Sequence, residues 1–399
     1  KGANSVAGNT VLGESALDAS VSGQNNTAIG KQAFTALTSG ASGVAVGSGS
    51  LMTATTGNNN TAVGKDSLKF TTTGASNTAV GMGALEANTT ADNNTAVGKS
   101  ALVANTTGAN NVAVGSLTLD AATTASNNTA VGQGAMSGTT TGADNTAVGL
   151  SALYSNTTAS NNTALGKSAL FANTTADNNT ALGRVCLYDN TTGEKNTAVG
   201  SGVLANNTTA SNNTGLGFEA LTQNTTGTQN TSVGAYSLDA NTTGGQNTAI
   251  GEASLGANTT ASSNTGIGYH ALKVNTTGIS NVAVGSQALD ANTTADNNTA
   301  VGRATLGVNT TGANNVALGT YALDANTTAN NNVAVGVYGL SANTTGYDNT
   351  AVGNRALFVN TTGTNNVAVG ANALDANTTA NENTAIGAEA LDSNTTGNY

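Results

Sequence analysis

An aliphatic residue followed by glycine returns every 17 residues, as at Ile29-Gly30, Val63-Gly64, Val97-Gly98 and onward to Ile386-Gly387. The spacing runs from Gly13 to Gly387 without an insertion or deletion, which divides the chain into 23 coils. A chain that keeps every loop at one length is one whose neighbouring coils stay in register. The consensus coil reads N-N-T-A-V-G-x-x-A-L-x-A-N-T-T-G-x, and Asn93 to Ala109 is a typical example. Its T-A-V segment alternates with period two and predicts a short strand.

Two apolar columns stand out. The residue before the glycine is Val, Ile or Leu in every coil, and the fourth after it is Leu in 21 coils, with Phe34 and Met136 the exceptions. The expectation is that these two columns face one another as the core, each side chain contributing roughly 1.5 to 3 kcal/mol on burial. The opposite strand face carries Ala in 19 coils, replaced by Val11, Gly215, Ser232 and Gly266. So small a second face predicts a close cover, and a second copy of the chain is the simplest one.

The x-x-A-L-x-A segment reads either as a second strand with Leu102 and Ala104 inward or as one helical turn per coil, since Ala and Leu are good helix formers. The chain then turns through N-T-T-G, where Asn and Gly tolerate left-handed geometry. Stacked Asn at this corner, and in a second column through Asn60, Asn94, Asn111 and Asn383, can form hydrogen-bonded ladders from coil to coil. The predicted fold is all-β: a β-solenoid (β-roll) of 23 stacked coils forming a single repeat domain over residues 1–399.

Composition narrows the function. Charged residues make up 8% and aromatics 3% of the 399 residues, and Trp and Pro are absent, so the chain lacks the bulk for an ordinary globular core. The net charge of −10 includes no basic cluster, which argues against nucleic acid as a partner. No apolar run is long enough to span a membrane. The opening KGANSVAGNTVLG already lies inside the repeat, and a processed or partial chain is expected.

Catalysis needs an irregular constellation, whereas a translational repeat offers the same groups in every coil. The expectation is therefore no enzyme, no cofactor and no metal site. His270, the one histidine, falls at a variable surface position, and Cys186, the one cysteine, falls in a small-residue column and reads as a packed thiol. Asp120, Asp239, Asp290, Asp324, Asp375 and Asp392 share one column but lack the converging oxygens calcium requires, and read as solvated charge. The corner N-T-T is also an N-x-T glycan acceptor. It nominates Asn88, Asn105, Asn156, Asn173, Asn190, Asn207, Asn224, Asn241, Asn258, Asn275, Asn292, Asn309, Asn326, Asn343, Asn360, Asn377 and Asn394 for glycosylation.

The run N-V-A-V-G at Asn111–Gly115, Asn281–Gly285 and Asn332–Gly336 resembles the head repeats of trimeric autotransporter adhesins. The N-T-A-I-G-x-x-A-L coils are similar to repeats of bacterial and phage tail-fibre-like proteins. The resemblance implies a left-handed parallel β-roll, three chains about a common axis, and an extracellular place on a cell surface or virion. The expected function is a structural fibre or adhesin shaft, homotrimeric and polymerising end to end, that presents repeated surfaces to a cell-surface or matrix receptor. The alternative is an ice- or glycan-binding solenoid whose Asn/Thr face is itself the binding surface.

Overall fold

The computed structural model describes residues 6–398. It contains 23 strands of three residues, from β1 (Thr10–Leu12) to β23 (Thr384–Ile386), one per coil. No helix occurs among the described residues. The strands pair in parallel with a constant offset of one coil: in β6 (Thr95–Val97) and β7 (Val112–Val114), Thr95 aligns with Val112, Ala96 with Ala113 and Val97 with Val114. The protein is a parallel β-solenoid in which like positions meet like positions. It divides into two compact units, Lys1–Ala198 and Val199–Tyr399, and the same coil recurs in each.

The strand faces are inverted relative to the expectation. In β6 the central Ala96 is fully buried (0% exposed) while Val97 keeps 36% of its surface exposed. The same holds in β15 (Thr248–Ile250), where Ala249 is buried and Ile250 exposed. The core is therefore Ala from the strand packed against Leu102 and Ala101, or Leu255 and Ser254, from the following segment. The physical reason is width. A 17-residue coil encloses one Leu-sized side chain from the turn segment, so the strand facing it can contribute only a methyl group. The alanine face accordingly meets no second chain; it closes the coil's own interior.

Three paired replacements record this contact. Where Val203 takes the small-residue position, Gly215 replaces the strand alanine opposite, and a Cβ on Gly215 would collide with the Val203 methyl. Ser254 is matched by Gly266, whose added Cβ would lie 2.6 Å from the Ser254 hydroxyl. Ser232 takes the alanine place and hydrogen-bonds Ser237 of its own coil. At the corner, Phe34 replaces Leu and Gly43 replaces the Asn of N-T-A, with the Phe34 ring filling the vacated space 2.6 Å from where a Cβ would stand.

The segment after the glycine is neither strand nor helix. Left-handed residues interrupt right-handed ones: Ser100 has φ 56° and Leu102 φ 51°, and the residue at the Leu position lies between 46° and 54° in every coil. A left-handed non-glycine residue costs about 1–2 kcal/mol, comparable with what burying each Leu returns. The geometry lets the backbone bond both neighbouring coils. Ser100 N donates to Met82 O behind it at 2.9 Å, and Leu102 N donates to Thr118 O ahead at 3.0 Å. Ala101, rather than Ala104, joins Leu102 in the interior. The glycine that opens the segment has φ between 127° and 141° throughout. A Cβ on Gly64 would lie 2.5 Å from the Gly81 carbonyl oxygen one coil away, so the position excludes every other residue.

Candidate functional surface

In each unit the inversion leaves a ribbon on the outside of the sheet. Its two ranks are the first and third strand residues, Thr or Val and then Val, Ile or Leu, in all 23 coils. Neither rank contains a charged residue anywhere in the chain. Exposed members include Val80, Val97, Val114, Leu165 and Leu182 in the first unit and Leu216, Ile250, Val301 and Leu318 in the second. With strands about 4.8 Å apart and residues about 3.3 Å apart along each strand, eleven strands present on the order of 400 Å² of flat surface in each unit. That is the size of the largest patch on a typical soluble monomer, which is often functional, and Thr hydroxyls make up part of it here.

The asparagine columns are inside the molecule. In the N-T-A column, Asn60 Oδ1 accepts from Asn77 N at 2.9 Å and Asn60 Nδ2 donates to Gly74 O at 2.7 Å. At the N-T-T corner, Asn105 Nδ2 donates to Asn88 Oδ1 at 3.2 Å and to Gly108 O at 3.0 Å. Gly108 O also accepts from Asn94 Nδ2 at 2.8 Å. One corner carbonyl thus holds an amide from each ladder, using both of its lone pairs. The first Thr of N-T-T points along the stack, with Thr89 Oγ1 donating to Thr106 O at 3.1 Å, whereas the second, Thr90 or Thr107, is exposed.

Sixteen of the seventeen corner asparagines nominated as glycan acceptors, from Asn88 and Asn105 through Asn377, are fully buried, and Asn394 is partly exposed. A sugar on Nδ2 would have to enter a packed interior and displace both hydrogen bonds, so the folded coil holds these amides away from solvent. The ladder also has a visible break. Ala122 stands where Asn105 would find its next partner, and Asn105 Oδ1 is buried without a hydrogen bond.

The variable positions carry the charge. Arg355 and the half-buried Asp375 pair at 3.3 Å, and the exposed Lys31 and Glu14 at 3.1 Å. Aromatic residues line up where adjacent coils supply them: Tyr154, Phe171 and Tyr188 stack with centroids 5.2 and 5.0 Å apart. His270 lies against Tyr269 at 3.7 Å. Partial burial, then Lys273 nearby, holds its imidazole below the ordinary value. Cys186 is buried in the small-residue column with Sγ 3.6 Å from Leu182 O, as a packed thiol should be. No His/Cys/Asp/Glu group that could hold a metal occurs among the described residues. No helix among them is long and apolar enough to cross a membrane. No family model matches the chain, and no curated protein matches it.

Proposed function

We propose that the protein is a structural, adhesive fibre segment at an extracellular surface, of a cell or a virion, in which copies of the chain pack through the outward ribbon. The observation that carries this reading is the pitch of that ribbon. Uncharged Thr/Val and aliphatic side chains recur once per strand with no interruption in either unit, and the partner able to interdigitate at every strand is one with the same repeat, a second copy of the chain. A homotrimer uses the ribbon along its whole length, and stacking of coil on coil gives end-to-end growth. The variable charged and aromatic positions then remain outside as a repeated surface for multivalent attachment to a receptor. Such a module needs neither a catalytic centre nor a cofactor.

Sedimentation across a concentration series tests the reading. The wild-type chain should sediment as a trimer or larger, and Val80→Lys, Val97→Lys and Val114→Lys together should release monomers with the coil intact by circular dichroism. A wild-type chain that stays monomeric at about 100 μM, where even an interface of modest affinity is populated, would refute it.

One observation favours a second reading, an ice- or glycan-binding solenoid. Adjacent threonines such as Thr89 and Thr90 diverge, but Thr95 and Val97 share one flat outward face with in-register neighbours. A regular hydroxyl and methyl array of this kind can order a lattice of ligands. Thermal hysteresis in the wild type, lost on Thr78→Lys and Thr95→Lys, would support that reading over self-packing.

A further inference from the structure

Two coils of the second unit carry small residues over the turn segment between neighbouring coils that carry larger ones. In one, Ala253 and Gly256 replace larger residues and leave a notch of about 290 Å³. In the other, Ala304 and Gly307 do the same and leave about 200 Å³. These are the same coil positions, 51 residues or three coils apart, so the notches lie about 14 Å from one another along the stack.

Both notches have a tyrosine ring and a carboxyl in their walls, the tyrosine on the preceding coil in the first and on the following coil in the second. The first notch is bounded by the Tyr236 ring, the Asp239 carboxyl and Lys273. The second is bounded by Tyr321, Asp290 and Asp324, with the Arg303 guanidinium 5.3 Å over the Tyr321 ring. Both aromatic walls are held from behind, Tyr236 edge-on to Phe218 at 5.4 Å and Tyr321 stacked on Tyr338 at 5.4 Å. The three carboxyl groups are each about half buried. Each notch therefore offers an apolar floor, an aromatic wall, a carboxyl acceptor and a polar donor, Lys273 in the first and Gln287 in the second, with room for one six-membered ring.

We propose that the two notches form one bipartite site for a neutral hexopyranose oligosaccharide, two of whose rings seat in the notches while the chain runs along the stack. A pyranose ring has an apolar face for the tyrosine and the Ala/Gly floor, and hydroxyls that both donate to carboxylates and accept from the Lys273 ammonium or the Gln287 amide. Seating two rings of one chain makes the second contact intramolecular, so weak notches combine. This gives the attachment reading a ligand class, but it stands on residues outside the ribbon, and its failure would leave self-packing untouched.

The test is isothermal titration of the full chain with cellohexaose, maltohexaose, chitohexaose and mannohexaose, alongside a filled variant. Gly256→Phe and Gly307→Phe suit the fold, because Phe171 and Tyr154 occupy the same coil position elsewhere and neither glycine has a left-handed φ. At least one hexasaccharide should bind the wild type, each single filling should weaken it about tenfold or more, and the double filling should abolish it. Tyr236→Ala with Tyr321→Ala should weaken the same sugar with an unchanged melting curve. Absence of binding by all four at about 10 mM, weaker than any useful affinity, or equal binding by the doubly filled variant, would overturn the proposal.

Discussion

Leu37 and Ala54 occupy in the first unit the corner that Asn258 and Asn275 occupy in the second, and all four are fully buried. The backbone route past them is the same, since Leu37 N donates to Phe34 O at 3.3 Å as Asn275 N donates to Leu272 O at 3.1 Å. What differs is how burial is made tolerable. Leu37 is apolar and asks for nothing beyond packing. Asn275 is polar, and its amide donates to Asn258 Oδ1 at 3.1 Å and Gly278 O at 2.9 Å while its oxygen accepts from Asn292. The corner thus accepts either a hydrocarbon or a member of a complete ladder, and a half-made ladder is the costly case.

Crossing the two solutions should give the largest effect. Leu37→Asn removes a buried aliphatic side chain and places an amide between Ser20 and Ala54, neither of which continues the ladder. It should cost about 3 kcal/mol, read as lost hydrogen-exchange protection in its own and adjoining coils. Asn275→Ala should cost about 2 kcal/mol, because Asn258 Oδ1 loses its donor and Asn292 its acceptor. Because coils in such an array open locally, amide exchange resolves these losses where a global melt would blur them. Mending the break runs the other way. Ala122→Asn supplies a donor to the orphaned Asn105 Oδ1, and should raise protection of the flanking coils by about 1 kcal/mol.

The smallest effect concerns charge at the half-buried carboxyls, which the corner lacks altogether. Burial raises Asp239, Asp290 and Asp324 above their ordinary value of 3.8. The folded chain therefore holds these protons more tightly than the unfolded one. Their contribution is fully present below pH 3.8 and is lost as pH rises through the elevated folded values. Asp→Asn at all three should flatten that part of the stability profile and leave the fold intact; an unchanged profile would remove these groups from the account.

The repeat, the parallel register and both asparagine ladders were legible in the chain because each rests on spacing alone. The side of the strand that faces inward was not. Alternation separates Ala96 from Val97 but does not say which is inside when both are apolar, and the larger side chain was the natural choice. The coil's narrowness decides otherwise, and its trace in the sequence was the coupled exceptions: Val203 with Gly215, Ser254 with Gly266, Phe34 with Gly43. The left-handed Leu column was also hidden, since nothing in a leucine announces a positive φ. As for the candidate surface, N-T-T suggested exposed acceptors because the motif reports residue type, whereas the ladder geometry decides exposure.

That inward alanine face is the claim on which the ribbon, and so the proposed self-packing, depends. A double-mutant cycle on Gly215 and Val203 tests it most directly. If the face points inward, Gly215→Ala overpacks the coil and costs about 1–3 kcal/mol, and adding Val203→Ala recovers most of that loss. If Gly215→Ala is neutral or stabilising, and Val203→Ala changes stability by the same amount with or without it, the alanines face outward and the account is wrong.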